Sequence, residues 1–339
     1  MQTSRCPVCA QLLFFENSMC LRCRAEVGYD IAERALVLVD PVTHRRCANQ
    51  LIAGCNWLVA VADPQPLCAS CRLTSVRPRD DEPDAMAAFA KAEAAKRRLL
   101  DQLFAVGLPV IDRRDDPARG VTFELLSSRD HAVTTGHQAG VITLDLSESD
   151  DAHREFVRQQ LGEPYRTVLG HLRHEIGHYY WDRLIADGNR VAEFRELFGD
   201  ESVSYADALA AHYGPNGSDE WAATHVSRYA TAHPWEDWAE TFAHYLHMTA
   251  GLATAAGFGL AVGDPAVTAG IDALAPRQGL AIEPMVERWL GLVFALNGES
   301  RSIGLDDLYP FVLPPAVVRK LDFVHRCVNA PPVVEPAGC

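Results

Sequence analysis

The chain reads as an α+β protein, a small β-rich module followed by a mainly helical domain with a short β-sheet. Three observations carry that prediction. Eight of the ten cysteines fall between Cys6 and Cys71. Apolar residues recur at helical spacing through most of the chain beyond Cys71. Two runs, 121–126 and 141–146, are rich in β-prone residues and bounded by polar or glycine-containing stretches. With 339 residues, 48% hydrophobic and 22% charged, the composition is ordinary for a globular chain and leaves room for two or three folded units.

In chain order, residues 1–77 hold paired cysteines among short apolar stretches such as Ala35-Leu36-Val37-Leu38-Val39 and Trp57-Leu58-Val59-Ala60-Val61, read as strands bounded by turns. The first six residues lead straight into the cysteine motif without the charged and apolar segments of a secretory leader, so a cytoplasmic protein is expected. A reducing compartment would not keep disulfides, which makes metal the explanation for the cluster. Cys6-x2-Cys9 and Cys20-x2-Cys23 are two tight knuckles with the layout of a four-thiolate structural zinc site. Cys47, Cys55, Cys68 and Cys71 supply a second set, so one or two structural zinc ions are expected, stabilising a module with little apolar core of its own. Cys327 and Cys339 stand apart and are read as a buried apolar thiol and a loose tail thiol.

Residues 78–84 are charged, proline-bearing and free of apolar side chains, and read as a linker. A domain over 85–330 and a tail over 331–339 complete the expected organisation. A helix follows Asp84 and ends near Gly107 and Pro109, and the runs at 121–126 and 141–146 are expected to form a β-hairpin. After Pro164, the residues Val168, Leu169, Leu172, Ile176, Tyr179 and Tyr180 mark a helix running to Asp187, with Gly188 as its cap. Further helices are expected around 202–212, 220–231, 235–249 and 281–296, and residues 306–315 are expected to be irregular. The low-charge run 248–263 is too short, and too rich in Ala and Gly, for a membrane span.

The chemistry concentrates in His174-Glu175-Ile176-Gly177-His178. Two imidazoles four residues apart share a helix face about 6 Å apart at Cβ, close enough to grip one metal ion. A catalytic zinc takes three protein ligands and keeps one position for a water whose pKa it lowers to about 7, and a carboxylate beside it can take the proton. Glu175 is the candidate general base. His171 lies one turn earlier on the same face and is read as packing nearby. Asp182, four residues after His178, is a candidate for orienting that histidine. For a third ligand, Glu236, Glu240 and His244 are spaced four apart, and spacing alone does not choose among them.

The segment from Tyr229 to Ala239 resembles the glutamate-ligand zincins of the anthrax lethal factor-like type, in which a tyrosine stands seven residues before the ligand of a Glu-aromatic-aromatic-Ala segment. Tyr229 and Glu236-Asp237-Trp238-Ala239 fit that register, with Asp237 where the pattern has an aromatic. The resemblance implies Glu236 as third ligand, Glu240 as a partner behind it, and Tyr229 as the phenol that steadies the oxyanion. With the amino-terminal knuckles, His174 to Asp182, His233-Pro234-Trp235-Glu236 and Leu308-Tyr309-Pro310-Phe311-Val312-Leu313, nearly the whole chain resembles the bacterial family of predicted zinc-ribbon, zinc-binding metallopeptidases. That implies a zincin-like catalytic domain; if it acts on a peptide or protein substrate, the edge of the expected hairpin near 141–146 would hold the extended chain by β-addition. The alternative expectation is a zinc-ribbon adaptor for protein or nucleic acid with a non-catalytic zincin scaffold. A net charge of -14 repels a phosphate backbone. Local basic residues such as Arg22, Arg24, Arg45, Arg46, Arg72, Arg77 and Arg79, within or just after the ribbon, keep a nucleic-acid role for that module as the alternative.

Overall fold

A computed structural model describes residues 3–129, 132–161, 163–214, 219–260, 262 and 281–330. The tail expected over 331–339, with Cys339, lies outside the described residues. Contacts divide the chain into two compact units. The first comprises Met1–Phe104, Pro109–Leu172 and Ala253–Leu260; the second comprises Ala105–Leu108, Arg173–Leu252 and the described residues of Ala261–Cys339. The architecture is α+β, as its sequence pattern requires.

In the first unit, three two-stranded ribbons build the cysteine-rich region: Ser4–Arg5 with Leu12–Leu13, Val27–Asp30 with Ala35–Leu38, and His44–Arg46 with Leu58–Ala60. Each cysteine pair of the first cluster is followed by a residue in the left-handed region, Ala10 at φ 57° and Arg24 at φ 62°. There the backbone N–H turns back to the carbonyl of Cys6 or Cys20, at 2.9 and 2.8 Å. Phe15, Tyr29 and Trp57 pack ring against ring, with centroids 4.8 to 6.5 Å apart. The long helix Pro83–Ala105 presents a buried polar stripe in this unit. Glu93 and Lys96 are fully buried and 2.6 Å apart, Glu93 also receives the Cys71 thiol, and Tyr29 donates to Asp101. A buried ion pair persists only when its remaining hydrogen bonds are made, and Thr74 supplies one to Glu93.

The four-stranded sheet runs Thr74–Val76, Thr122–Leu126, Val141–Asp145, Gly136–Gln138. The expected hairpin between the two long strands is corrected here: they pair in parallel, Val141 opposite Thr122 through Asp145 opposite Leu126. Alternation of Phe123, Leu125, Ile142 and Leu144, all fully buried, is identical for either direction and so could not choose. The hairpin partner of Val141–Asp145 is the short Gly136–Gln138, joined by Ala139 and Gly140 with φ 48° and 82°, the signs that a two-residue type I′ turn demands. Val141–Thr143 is therefore paired on both sides, and the expectation of a free edge there for β-addition fails because its backbone groups are already engaged.

The second unit is helical. The helix Val168–Trp181 continues through a π turn, Asp182–Ala186, and the left-handed residue that closes it is Asn189, φ 55°, rather than Gly188. Gly188 serves a different need, since a Cβ there would lie 2.1 Å from the Leu184 carbonyl oxygen. Tyr205–His212, Pro234–Phe258, Glu283–Ser302 and Pro315–Val328 follow. The helix expected over 220–231 is two 3-10 turns, Asp219–Ala223 and Tyr229–Thr231. Ser227 breaks it by taking the Ala230 N–H onto its own hydroxyl at 3.1 Å, the competition that keeps serine out of helix interiors. The core is aromatic: Tyr180 stacks on Phe242 at 5.5 Å, and Trp238 meets Phe194, Phe242 and Phe323 within 6.3 Å. Asp237 is balanced by Lys320 at 2.6 Å, both buried, which accounts for a carboxylate where the resembled pattern has an aromatic. Cys327 is buried, receives Arg190 at 3.6 Å, and burial pushes its thiol up to about 11. No helix among the described residues is long and apolar enough to cross a membrane.

Candidate metal centre

Two helices of the second unit carry the centre, and their closeness follows from one glycine. A Cβ on Gly177 would stand 3.1 Å from the Ala239 Cα and 3.3 Å from its carbonyl oxygen. Trp238 Nε1 donates to the Gly177 carbonyl at 2.8 Å, locking the crossing. His174 and His178, one turn apart on one helix, then face Glu236 and Glu240, one turn apart on the other.

The three side chains His174, His178 and Glu236 bring one donor atom each within 4.8 Å of the others. His174 Nε2 is 2.9 Å from Glu236 Oε2 and 3.1 Å from His178 Nε2; His178 Nε2 is 3.5 Å from Glu236 Oε2. Glu240 takes the far nitrogen of His174, with Nδ1 to Oε1 at 2.8 Å, and its other oxygen accepts from Ser227 Oγ at 2.7 Å. With Nδ1 donating to Glu240, the His174 Nε2 lone pair is turned toward the other two donor atoms. Glu236 Oε2 is buried with no aligned hydrogen-bond donor, although His174 lies close. Converging lone pairs around an orphaned carboxylate oxygen are the arrangement a cation completes. The residues therefore fit zinc.

Charge is tuned accordingly. Burial works against the Glu240 carboxylate, yet the His174 imidazole bonded to it brings the group down to about 2. Glu236 is likewise lowered, against burial, by both histidines. Glu175 is buried and its carboxyl is raised by that burial, with the two imidazoles pulling the other way. Tyr229 has its ring centroid 5.8 Å from that of His174. Burial and then the Glu236 charge raise its phenol. Of the other sequence candidates, His171 Nδ1 lies 3.6 Å from Glu148 Oε2, and His244 Nδ1 meets the Tyr309 hydroxyl at 2.6 Å. Asp182 sits in the π turn, where burial raises its carboxyl.

Two residues at this centre, Ser227 and Tyr205, escaped the sequence reading, and a third, His233, entered it only within the resembled His233-Pro234-Trp235-Glu236 segment, without a role. Ser227 holds Glu240, Tyr205 donates to Glu236 Oε1 at 2.9 Å, and the buried ring of His233 lies beside Tyr205. None belongs to a spacing pattern; each reaches the centre from a turn or a helix start.

In the cysteine-rich region, Cys6, Cys9, Cys20 and Cys23 form one cluster of sulfurs, and Cys47, Cys55, Cys68 and Cys71 another, each within 4.8 Å. Sulfur pairs stand 3.5 Å apart at Cys6 and Cys23, and 3.6 Å apart at Cys9 and Cys20 and at Cys55 and Cys68. These are contacts of free thiols rather than disulfides. Backbone N–H groups point at them: Cys68 N to Cys47 Sγ at 3.3 Å and Cys71 N to Cys68 Sγ at 3.5 Å. Burial opposes a Cys6 thiolate, but the N–H groups of Cys9 and Val8 bring it down to about 6. Arg45 spends its guanidinium on the carbonyls of Ala60, Val61, Asp63 and Gln65. Arg46, Arg72, Arg77 and Arg79 pair with Glu26, Asp63, Asp80 and Asp81.

The profile of the family described as "Putative zinc-binding metallo-peptidase" matches residues 85–327, and that of a zinc-ribbon domain matches residues 3–82. Uncharacterized protein Rv2568c of Mycobacterium tuberculosis (strain ATCC 25618 / H37Rv) is 49% identical over 340 residues, covering 99% of this chain and 98% of that protein. Uncharacterized protein Mb2598c of Mycobacterium bovis is similar to the same extent. No solved structure matches the chain.

Proposed function

Because the chain belongs to the zinc-binding metallo-peptidase family and carries a zinc-ribbon domain ahead of that match, we propose that it hydrolyses peptide or isopeptide bonds at the His174, His178 and Glu236 centre. The observation that carries the reading is the convergence of these three donor atoms beside a buried Glu175. In this reading residues 1–77 are a ribbon module with two closed four-thiolate sites that support fold, and 85–330 the hydrolytic domain.

His174, His178 and Glu236 would hold the zinc ion, which when bound supplies Lewis acidity and a water acidic enough to ionise near pH 7. Glu175 takes the proton of the attacking water. A carboxyl raised by burial holds that proton well enough to hand it to the leaving amine. Tyr229 donates its phenolic hydrogen to the oxygen that gains charge as the carbonyl is attacked; its raised pKa keeps that hydrogen in place. Glu240 keeps His174 in the tautomer whose Nε2 faces the centre.

Metal content of the purified protein tests this. Close to three zinc ions per chain are expected, falling to two in His174→Ala with His178→Ala. Glu175→Gln keeps all three and lowers hydrolysis of a peptide library by about 10²–10⁴-fold. No loss of metal in the double histidine variant overturns the reading and promotes an adaptor role.

A further inference from the structure

His233 is buried at the start of the helix Pro234–Phe258 and is bonded on both ring nitrogens. Its Nδ1 accepts the Trp235 N–H at 3.1 Å, so the other nitrogen carries the hydrogen and donates to the Val203 carbonyl at 3.2 Å. One imidazole thereby ties the backbone just before Glu236 to the backbone two residues before Tyr205. Tyr205 opens the helix Tyr205–His212, capped by Ser204 Oγ, which accepts the Asp207 N–H at 3.3 Å. Its ring packs edge-on against His233, centroids 5.2 Å apart at 64°. So placed, the phenol reaches Glu236 Oε1 at 2.9 Å.

A carboxylate whose two oxygens are both free can rotate and bind a cation through one or both. Here one oxygen is committed to a phenol while the other, Oε2, faces the two imidazole nitrogens. We propose that Tyr205, held by His233, is a positioning residue that restricts Glu236 to binding the metal through Oε2 alone, keeping a coordination position open. The inference rests on the metallopeptidase reading and deepens it at one residue. A phenol adds no charge, so its contribution is directional, whereas a lysine on the same oxygen would compete with the metal for the carboxylate's charge.

The test uses the full chain, with the histidine-centre metal removed by a chelator that leaves thiolate-bound zinc in place, then refilled with cobalt. In Tyr205→Phe the ring still packs on His233 but the donor is gone. Cobalt affinity by chelator competition is expected to fall about 10–100-fold, and the visible bands to weaken as Glu236 brings in its second oxygen. Tyr229→Phe, which leaves the bond to Glu236 intact, is expected to keep the wild-type bands. Unchanged affinity and bands in Tyr205→Phe overturn the inference alone. Cobalt uptake that survives His174→Ala with His178→Ala overturns the metal centre and this inference together. Infrared difference spectra of the wild type on metal binding need no variant: a wide splitting of the carboxylate stretches supports one-oxygen binding, and a narrow splitting overturns it.

Discussion

At the scale of single residues, the four-residue spacing of Glu236, Glu240 and His244 put three candidates on one helix face, and they have three different partners. Glu236 meets the Nε2 side of the histidine pair, Glu240 the Nδ1 of His174, and His244 the hydroxyl of Tyr309. Helical spacing fixes a face but not which nitrogen of a facing ring each side chain meets, because that depends on the height at which the second helix crosses. Glu240 also gathers the Ser227 hydroxyl, so two hydrogen bonds converge on one side chain that does not face the donor triangle. Glu240→Ala is expected to weaken metal binding about 10–100-fold, with Ser227→Ala giving a smaller part of that loss. Chelator competition measures both, and equal affinity in Glu240→Ala and wild type would remove Glu240 from the centre.

At the scale of elements, the centre depends on a helix crossing close enough that Gly177 has no room for a side chain. The atoms a Cβ would meet are the backbone of Ala239, which cannot swing aside as a flexible side chain would. Gly177→Leu is expected to cost about 1–3 kcal/mol or more through overpacking and to empty the histidine centre, while Gly177→Ala loses less of both. Urea denaturation read beside zinc content checks this, and an undisturbed Gly177→Leu would show that the crossing is looser than described. The metal-gripping helix was legible because Ile176, Tyr179 and Tyr180 mark its buried side. Strand direction was not, since Thr122–Leu126 and Val141–Asp145 alternate the same way whether parallel or antiparallel. The 3-10 turns around Ser227 were hidden for a related reason: the Ser227 hydroxyl satisfies both Ala230 and Glu240, one partner local and the other thirteen residues away.

At the scale of the whole molecule, two compact units each bury their own aromatic cluster. The cysteine-rich region buries a small apolar core, in which Leu13, Val27, Leu36 and Leu58 join Phe15, Tyr29 and Trp57. Structural zinc contributes about 10–16 kcal/mol to the folding of small thiolate domains, comparable to or above the roughly 5–15 kcal/mol of an entire domain. Stripping metal from both cysteine clusters with a mercurial and a chelator is therefore expected to abolish amide-exchange protection in Val27–Asp30 and Ala35–Leu38. Protection retained in these strands of the fully stripped protein would show that the module folds without metal.

What the sequence by itself determined are the features set by short-range geometry. Two residues between cysteines make a knuckle wherever the chain runs, and histidines four apart share a helix face whatever packs against them. The knuckles Cys6/Cys9, Cys20/Cys23 and Cys68/Cys71 and the shared helix face of His174 and His178 were readable for that reason. Tertiary structure alone decided which carboxylate faces which nitrogen, that Tyr205 and Ser227 hold Glu236 and Glu240, and that the central strands run parallel. Each of these depends on contacts between segments far apart in the chain, where a shift of one helical turn, or a reversal of one strand, preserves the local pattern and changes every partner.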